Sequence, residues 1–404
     1  MQHDGAGPRE YVFDPQEFAA RQARVQQELR AQGFDGLIVA DPANLHYLTG
    51  YDAWSFYVPQ TLFLPAEGAP LLMLREMDAV GAWRTATGVS SDRIVGYPED
   101  LVHRSDRHPG EWMAQTLREH GLTAPGRIGV EGDSAFFSVR TFQALATVDG
   151  WHLDDSAELV NRVRLIKSPA EVELMRVAGR IASAAMGAAL EGLVPGRPQN
   201  EVAADVLAAQ ARGIPNADGD YPAIVPMFPT GAGADTPHLT WNASPIPADA
   251  PISIELAGVH HRYHAPLART AIIGRPDAEL DRLARVTVAG LQAAIAAVRP
   301  GIPAEDVAAA FTSVIQPAGY QKSSRLGYSI GIGYPPDWGE RTVSVRAGER
   351  TLLAENMTFH LIAGMWMRGY GFEVSEAVRV TDTGVEVFTD APQALITLSP
   401  GRQL

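Results

Sequence analysis

The sequence contains no cysteine, which excludes a disulfide framework, a thiol nucleophile and thiolate metal ligands. Basic residues are also in short supply: 33 Lys and Arg stand against 47 Asp and Glu, for a formal net charge of −14. With no run of Lys or Arg either, a phosphate-tracking surface for nucleic acid is not expected. Long apolar runs are missing as well. The longest uncharged stretch, near Val286–Val298, falls short of the roughly 20 residues a membrane span needs. No basic-then-apolar leader opens the chain, so a cytoplasmic protein is expected.

What is present is ordinary globular composition, 46% hydrophobic and 20% charged over 404 residues, long enough for two domains. In the first part α and β signals alternate. Asp14-Pro15-Gln16-Glu17 starts a helix that Gly33 ends, and Gly36–Ala40 reads as a buried strand. Asn44–Gln60 reads as an aromatic-rich loop. Thr61–Leu64 and Leu71–Leu74 form a hairpin, and further segments follow at 77–87, 93–97, 112–121, 127–131 and 139–147. This predicts an α/β domain with a mixed sheet over residues 1–160. Arg162–Glu171 is the joint, where Ser168, Pro169 and Glu171 spell a capping box for an alanine-rich helix reaching about Leu193.

An internal repeat marks the second part, residues 161–404. Val194-Pro-Gly-Arg-Pro-Gln-Asn-Glu-Val-Ala-Ala204 recurs as Arg299-Pro-Gly-Ile-Pro-Ala-Glu-Asp-Val-Ala-Ala309, each after a long helix and before a shorter one. Two copies suit a domain of two halves about a pseudo-twofold axis, with a site where the halves meet. Helix punctuation of the P-G-x-P kind is the plainer alternative.

Ile252–Thr270 is the stretch richest in chemistry. It opens as a strand with Glu255 among Ile252, Ile254 and Leu256, breaks at Ala257-Gly258, and passes His260, His261 and His264. The three histidines suggest a metal site, yet strand alternation sends neighbours to opposite faces. His264 and Tyr263 are the pocket candidates; His260 and His261 read as exposed turn residues.

The repeat, the R-x-x-K-S-P-A-E joint and the Arg269-Thr270 pair resemble the pita-bread family of methionine aminopeptidase, aminopeptidase P, prolidase and creatinase. The resemblance implies an α/β N-terminal domain, an α+β pita-bread catalytic domain and a homodimer. It also implies two metal ions held by two Asp, one His and two Glu. Those ligand positions fall here on Glu255, Pro266, Tyr328, Ile362 and Ser375, so one carboxylate survives out of five and no metal or other cofactor is expected. A slip in alignment could restore Glu376, but nothing repairs Pro266 or Ile362.

Longer strings resemble the ectoine hydrolase branch of that family: Gly50–Gln60, Tyr221–Pro226, Thr236–Trp241, Arg262–His264 and Gly327–Thr342. That branch implies metal-independent opening of a cyclic amidine, ectoine or hydroxyectoine, to N-acetyl-diaminobutyrate. The deacetylase that consumes this product is a candidate partner. Rival readings are a creatinase-like guanidino hydrolase, an Xaa-Pro dipeptidase and a non-catalytic binding protein. Glu255 is the first candidate for the chemistry, as ion partner of an amidinium or as nucleophile; a solvent-facing acid or one bonded to Arg269 is the alternative. His238, where the family keeps a histidine near the scissile bond, would shuttle a proton. Tyr328 would orient an intermediate. Glu376 and Glu373 compete for a salt bridge or a second acid, both ranked below Glu255. Trp338 in the turn-like Asp337–Arg341 segment, and Trp54, Phe56 and Tyr57, would stack on the cation. Arg262, Arg325 and Arg341 are candidates for holding the substrate carboxylate, with no basis for choosing among them.

Overall fold

The structure is a computed structural model and describes residues 12–401. It separates into two compact units, Met1–Arg164 and Leu165–Leu404. The expected boundary at 160 falls inside a short helix that stays with the first unit.

The first unit runs α1 (Pro15–Ala31), β1 (Gly36–Val39), α2 (Pro42–Thr49), β2 (Thr61–Pro65), β3 (Leu71–Arg75), α3 (Glu76–Thr85), β4 (Ile94–Tyr97), α4 (Pro109–Glu119), β5 (Gly126–Val130), α5 (Val139–Leu145), β6 (Trp151–Asp155) and α6 (Leu159–Val163). Its six strands lie in the order β4-β3-β2-β1-β5-β6. The β2–β3 hairpin and β1–β2 pair antiparallel, the other neighbours parallel, which is the mixed sheet the sequence predicts. Asn44–Gln60 is not all loop. Asp41 caps α2 through the Ala43 N–H, and Gly50 ends it in the left-handed conformation. The aromatic residues of Asn44–Thr49 hid a short helix buried on every side, which has no polar face to reveal its period.

The second unit runs α7 (Pro169–Gly192), α8 (Gln199–Arg212), β7 (Pro251–His260), β8 (Tyr263–Ile273), α9 (Ala278–Ala297), α10 (Ala304–Ile315), β9 (Gly327–Tyr334), β10 (Asp337–Val345), β11 (Thr358–Met367), β12 (Tyr370–Val380), β13 (Val385–Val387) and β14 (Ile396–Leu398). Each repeat copy joins a long helix to a short one, α7 to α8 and α9 to α10, and the Ser168–Glu171 capping box forms as expected. The helices pack on strands of one curled sheet, ordered β13-β12-β11-β9-β8-β14, with β7 on β8 and β10 on β9.

β7 does not break at Ala257-Gly258; it pairs with β8 without interruption from Pro251 to His260. Gly258 serves helix packing, because a Cβ there would lie 2.0 Å from the Ala178 carbonyl oxygen of α7. The turn comes instead at His261-Arg262, both at positive φ. Alternation along β7 sends Ile252, Ile254 and Leu256 into a core with Ala182, Ala185 and Met186 of α7. Glu255 and Ala257 face the other way, toward the side where Ala257 packs with Trp338.

Candidate active site

On that second face two acids are buried without support. Glu255 is 5% exposed and Glu373, on β12, is 4% exposed. No described residue hydrogen-bonds either carboxyl. Burial, and then the charge of Glu373, push Glu255 well above the usual carboxylate range. Burial pushes Glu373 up to about 7, with the Lys322 charge pulling back. Lys322 is itself driven down to about 8 by burial. Its ammonium donates to Ser324 Oγ at 2.8 Å and to the Gly364 carbonyl at 2.9 Å. Each carboxyl is thus disfavoured in its charged form by burial, and the charge of Glu373 adds to the rise of Glu255, so the two titrate as a coupled pair.

Beside the acids runs a chain of neutral side chains. Trp338 Nε1 donates to the Tyr328 hydroxyl at 2.8 Å, and that hydroxyl lies 3.0 Å from His360 Nδ1. His360 Nε2 lies 2.7 Å from Ser375 Oγ, which accepts the Ala268 N–H at 2.6 Å. Burial and then Arg325 lower His360 to about 3, so it is neutral at working pH. Burial raises Tyr328 well above its usual value, and the Glu255 charge adds to the rise. The Arg325 guanidinium sits 4.2 Å over the Tyr328 ring and donates to Ser344 Oγ.

Several expected members have other tasks. His264 is fully buried, with Nε2 accepting the Ala223 N–H and Nδ1 against the Arg262 carbonyl, so both nitrogens are occupied. Tyr263 donates to Glu171. Arg262 is tied to Asp220 and stacks 3.6 Å over Tyr221, which removes it as a carboxylate fork. Glu376 is the salt-bridge acid, bonded to Arg269, Thr389 and Gln393. Glu255, in turn, is not the acid that Arg269 holds. Trp338 is fully buried and serves Tyr328, leaving no open face for a cation. Asp337 is exposed and accepts the Gly339 N–H, and Arg341 is exposed at positive φ. His260 and His261 are half-buried at the turn. His238 is exposed at positive φ, on a loop clipped to β7 where Met227 and Glu255 exchange backbone hydrogen bonds at 2.8 and 3.1 Å. In the first unit Trp54 and Tyr57 are exposed; Phe56 packs on Trp54 and Phe136, and Arg75 donates to Tyr57.

Glu373, His360 and Lys322 are the residues a reading of the sequence undervalues or misses. Alternation offered the first two: Glu373 is two residues from Ser375 and His360 two from Ile362, so each shares a face with a lost ligand position. Lys322 lies in a loop, where no periodicity applies.

The donors present do not suit the paired cations of the metallopeptidases. Pro266 and Ile362 have no donor atom, Ser375 Oγ and His360 are engaged with each other, and His264 has no nitrogen to offer. Among the described residues no three His, Asp or Glu side chains converge on one point. Hard cations need several oxygen or imidazole ligands at once.

Residues 173–385 match the model of metallopeptidase family M24, and residues 21–166 match the creatinase/prolidase N-terminal domain. Ectoine hydrolase of Halomonas elongata is 40% identical over 95% of this chain and 98% of its own length. Probable dipeptidase PepE of Mycobacterium tuberculosis is 26% identical over 96% of this chain and 98% of its own. The crystal structure of prolidase from Thermococcus sibiricus shares the fold with a TM-score of 0.80 at 21% identity, covering 94% of this chain and 99% of that one. The PepE dipeptidase structure from Mycobacterium ulcerans does so at 0.77 and 24%, covering 96% and 99%. With its curled catalytic sheet, its repeated helix pairs and its mixed-sheet first unit, the chain belongs to metallopeptidase family M24, in the form that carries a creatinase-type N-terminal domain.

Proposed function

We propose that this protein is a hydrolase that opens the cyclic amidine ectoine, and hydroxyectoine, to the N-acetylated diaminobutyrate. The observation that carries the reading is the pair of buried carboxyls, Glu255 and Glu373, that no described side chain or backbone group supports, each pushed upward by burial. Such a pair suits one delocalised organic cation, whose two N–H groups can each meet a carboxyl oxygen. The 40% identity with ectoine hydrolase along nearly the whole chain supports the same substrate.

In this reading the oxygen of water forms a bond to the amidine carbon and gives up both its protons as the amide carbonyl forms, while the ring C–N bond breaks and the departing nitrogen takes those two protons up as an ammonium. The amidinium is already positive, so its carbon needs no Lewis acid. Glu255 engages the reacting carbon, Glu373 holds the ring N–H, and His238 carries the proton to the leaving nitrogen. Arg325, beside Tyr328, is the arginine assigned to the substrate carboxylate. The protein works without metal, as a homodimer in the cytoplasm.

The test is turnover of ectoine by chelator-treated protein, with product followed by mass or proton NMR and oligomeric size by light scattering. Undiminished turnover is expected. Turnover that disappears on chelation and returns with manganese or cobalt would overturn the metal-free chemistry, and Xaa-Pro hydrolysis in its place would return the chain to dipeptidase work.

A further inference from the structure

The chain Trp338–Tyr328–His360–Ser375 contains enough fixed hydrogens to decide which way it points. An indole N–H can only donate, so Trp338 occupies one lone pair of the Tyr328 oxygen. At the other end the Ala268 N–H occupies one lone pair of Ser375 Oγ at 2.6 Å. Ser375 is fully buried, and the only acceptor within reach of its own proton, among the described residues, is His360 Nε2 at 2.7 Å. If that nitrogen instead carried a hydrogen, the Ser375 proton would be sealed in the protein with no acceptor, the costly arrangement for a buried polar group. Nε2 is therefore bare, and the neutral imidazole carries its hydrogen on Nδ1. That hydrogen is donated to Tyr328 at 3.0 Å. Both lone pairs of the phenol oxygen are then filled, and its O–H is turned away from His360 and Trp338. Tyr328 is only partly buried, and Glu255 is close enough to act on its phenol. Its proton can be met by a molecule in the site, as that of Ser375 cannot.

We propose that Ser375 and His360 fix Tyr328 as a one-way hydrogen-bond donor, whose phenol proton is offered to the oxygen that water adds to the amidine carbon. This rests on the hydrolytic reading above. As the added hydroxyl gives up its proton, negative charge builds on that oxygen before it passes into the amide carbonyl and the C–N bond breaks, and a donor already aimed at it lowers the barrier without reorganising. Tyr328 is the catalytic residue here; His360 and Ser375 are positioning residues. No bond is made or broken in the chain, and Tyr328 keeps its proton throughout.

Nitrogen-15 NMR of the full chain, labelled at histidine, reads the tautomer directly. The hydrogen of His360 is expected on Nδ1 and should move or exchange in Ser375→Ala; a hydrogen on Nε2 in the native protein overturns the proposal. Kinetics give a second readout. Tyr328→Phe should lower kcat about 10²-fold with little change in KM. His360→Asn keeps an N–H near the Nδ1 position and should retain most of the activity, while His360→Leu should fall with Tyr328→Phe. The double variant Tyr328→Phe/His360→Leu should be no slower than Tyr328→Phe alone. Independent, multiplying losses would make His360 a packing residue only and would also overturn the proposal. Native protein inert toward ectoine but with His360 protonated on Nδ1 would fault the assigned substrate and not the donor.

Discussion

Glu131 in the first unit and Glu255 in the second are both buried acids raised by desolvation, and they differ in what surrounds them. Glu131 accepts the backbone N–H groups of Ala40 and Asp41 at 2.7 Å and the Asn44 amide at 2.6 Å. Burial, then the Asp41 charge, still lift it to about 7. Glu376 is built the same way, enclosed by Arg269, Thr389 and Gln393. Glu255 and Glu373 have burial without such partners. A structural acid is wrapped in donors because an unsatisfied buried charge destabilises the fold. In the proposed reading the two bare acids are held for a ligand that brings the donors.

The contrast can be broken in order of expected effect. Glu255→Gln should reduce turnover by roughly 10³-fold or more while leaving the melting temperature unchanged or raised, since it removes one of two crowded carboxyls. A large loss of stability with turnover kept would place Glu255 among the structural acids. Glu131→Ala should do the reverse. It strands the Ala40 and Asp41 N–H groups and the Asn44 amide, costing about 2–3 kcal/mol in a denaturant titration, with kcat per folded molecule unchanged. Because burial raises the Glu131 folded pKa above its unfolded value, its protonated form favours the fold. Its contribution is fullest at low pH and declines as pH rises from about 4.5 through about 7. The smallest effect is on the activity profile. With Glu373 near 7, kcat/KM should climb with pH on a limb around neutrality, by about tenfold per pH unit below it, and Glu373→Gln should displace that limb. A limb unmoved in that variant would assign it elsewhere.

Much of this was open to reading from the sequence. The capping box at Ser168, the hairpin at Thr61–Leu74 and the repeated P-G-x-P punctuation follow local rules of turn chemistry and periodicity, while the lost ligand positions were legible only through the family resemblance. What escaped was set by tertiary contact. Gly258 looked like a strand break because nothing in the sequence shows that α7 passes within van der Waals reach of it. Trp338, Tyr263, Arg262 and His264 looked like pocket residues because their polar or aromatic ends suit a ligand. Glu171, Asp220 and Ala223, which hold Tyr263, Arg262 and His264, lie 41 to 92 residues away along the chain, and Tyr328, which holds Trp338, is met only once β9 and β10 pair. Glu373 was overshadowed by Glu376, three residues on, whose partner Arg269 lies on β8.

The seam between β8 and β12 has a consequence for the width of the site. The two strands share no backbone ladder; side chains stand in for it. Ser375 Oγ takes the Ala268 N–H, while Thr270 Oγ1 donates to the Glu373 carbonyl at 2.9 Å and accepts the Glu373 N–H at 2.8 Å. Arg269 Nη1 reaches the Ser375 carbonyl at 2.6 Å. An ordinary ladder would hold the strands at the fixed spacing of about 4.8 Å. Here the spacing is set by the length of a serine and a threonine, so the gauge of the seam is written in two small hydroxyl side chains. In the proposed reading, changing Thr270 or Ser375 would shift β8 against β12, and with it the placement of Glu373 relative to Glu255 on the neighbouring β7 and the size of cation the two can meet.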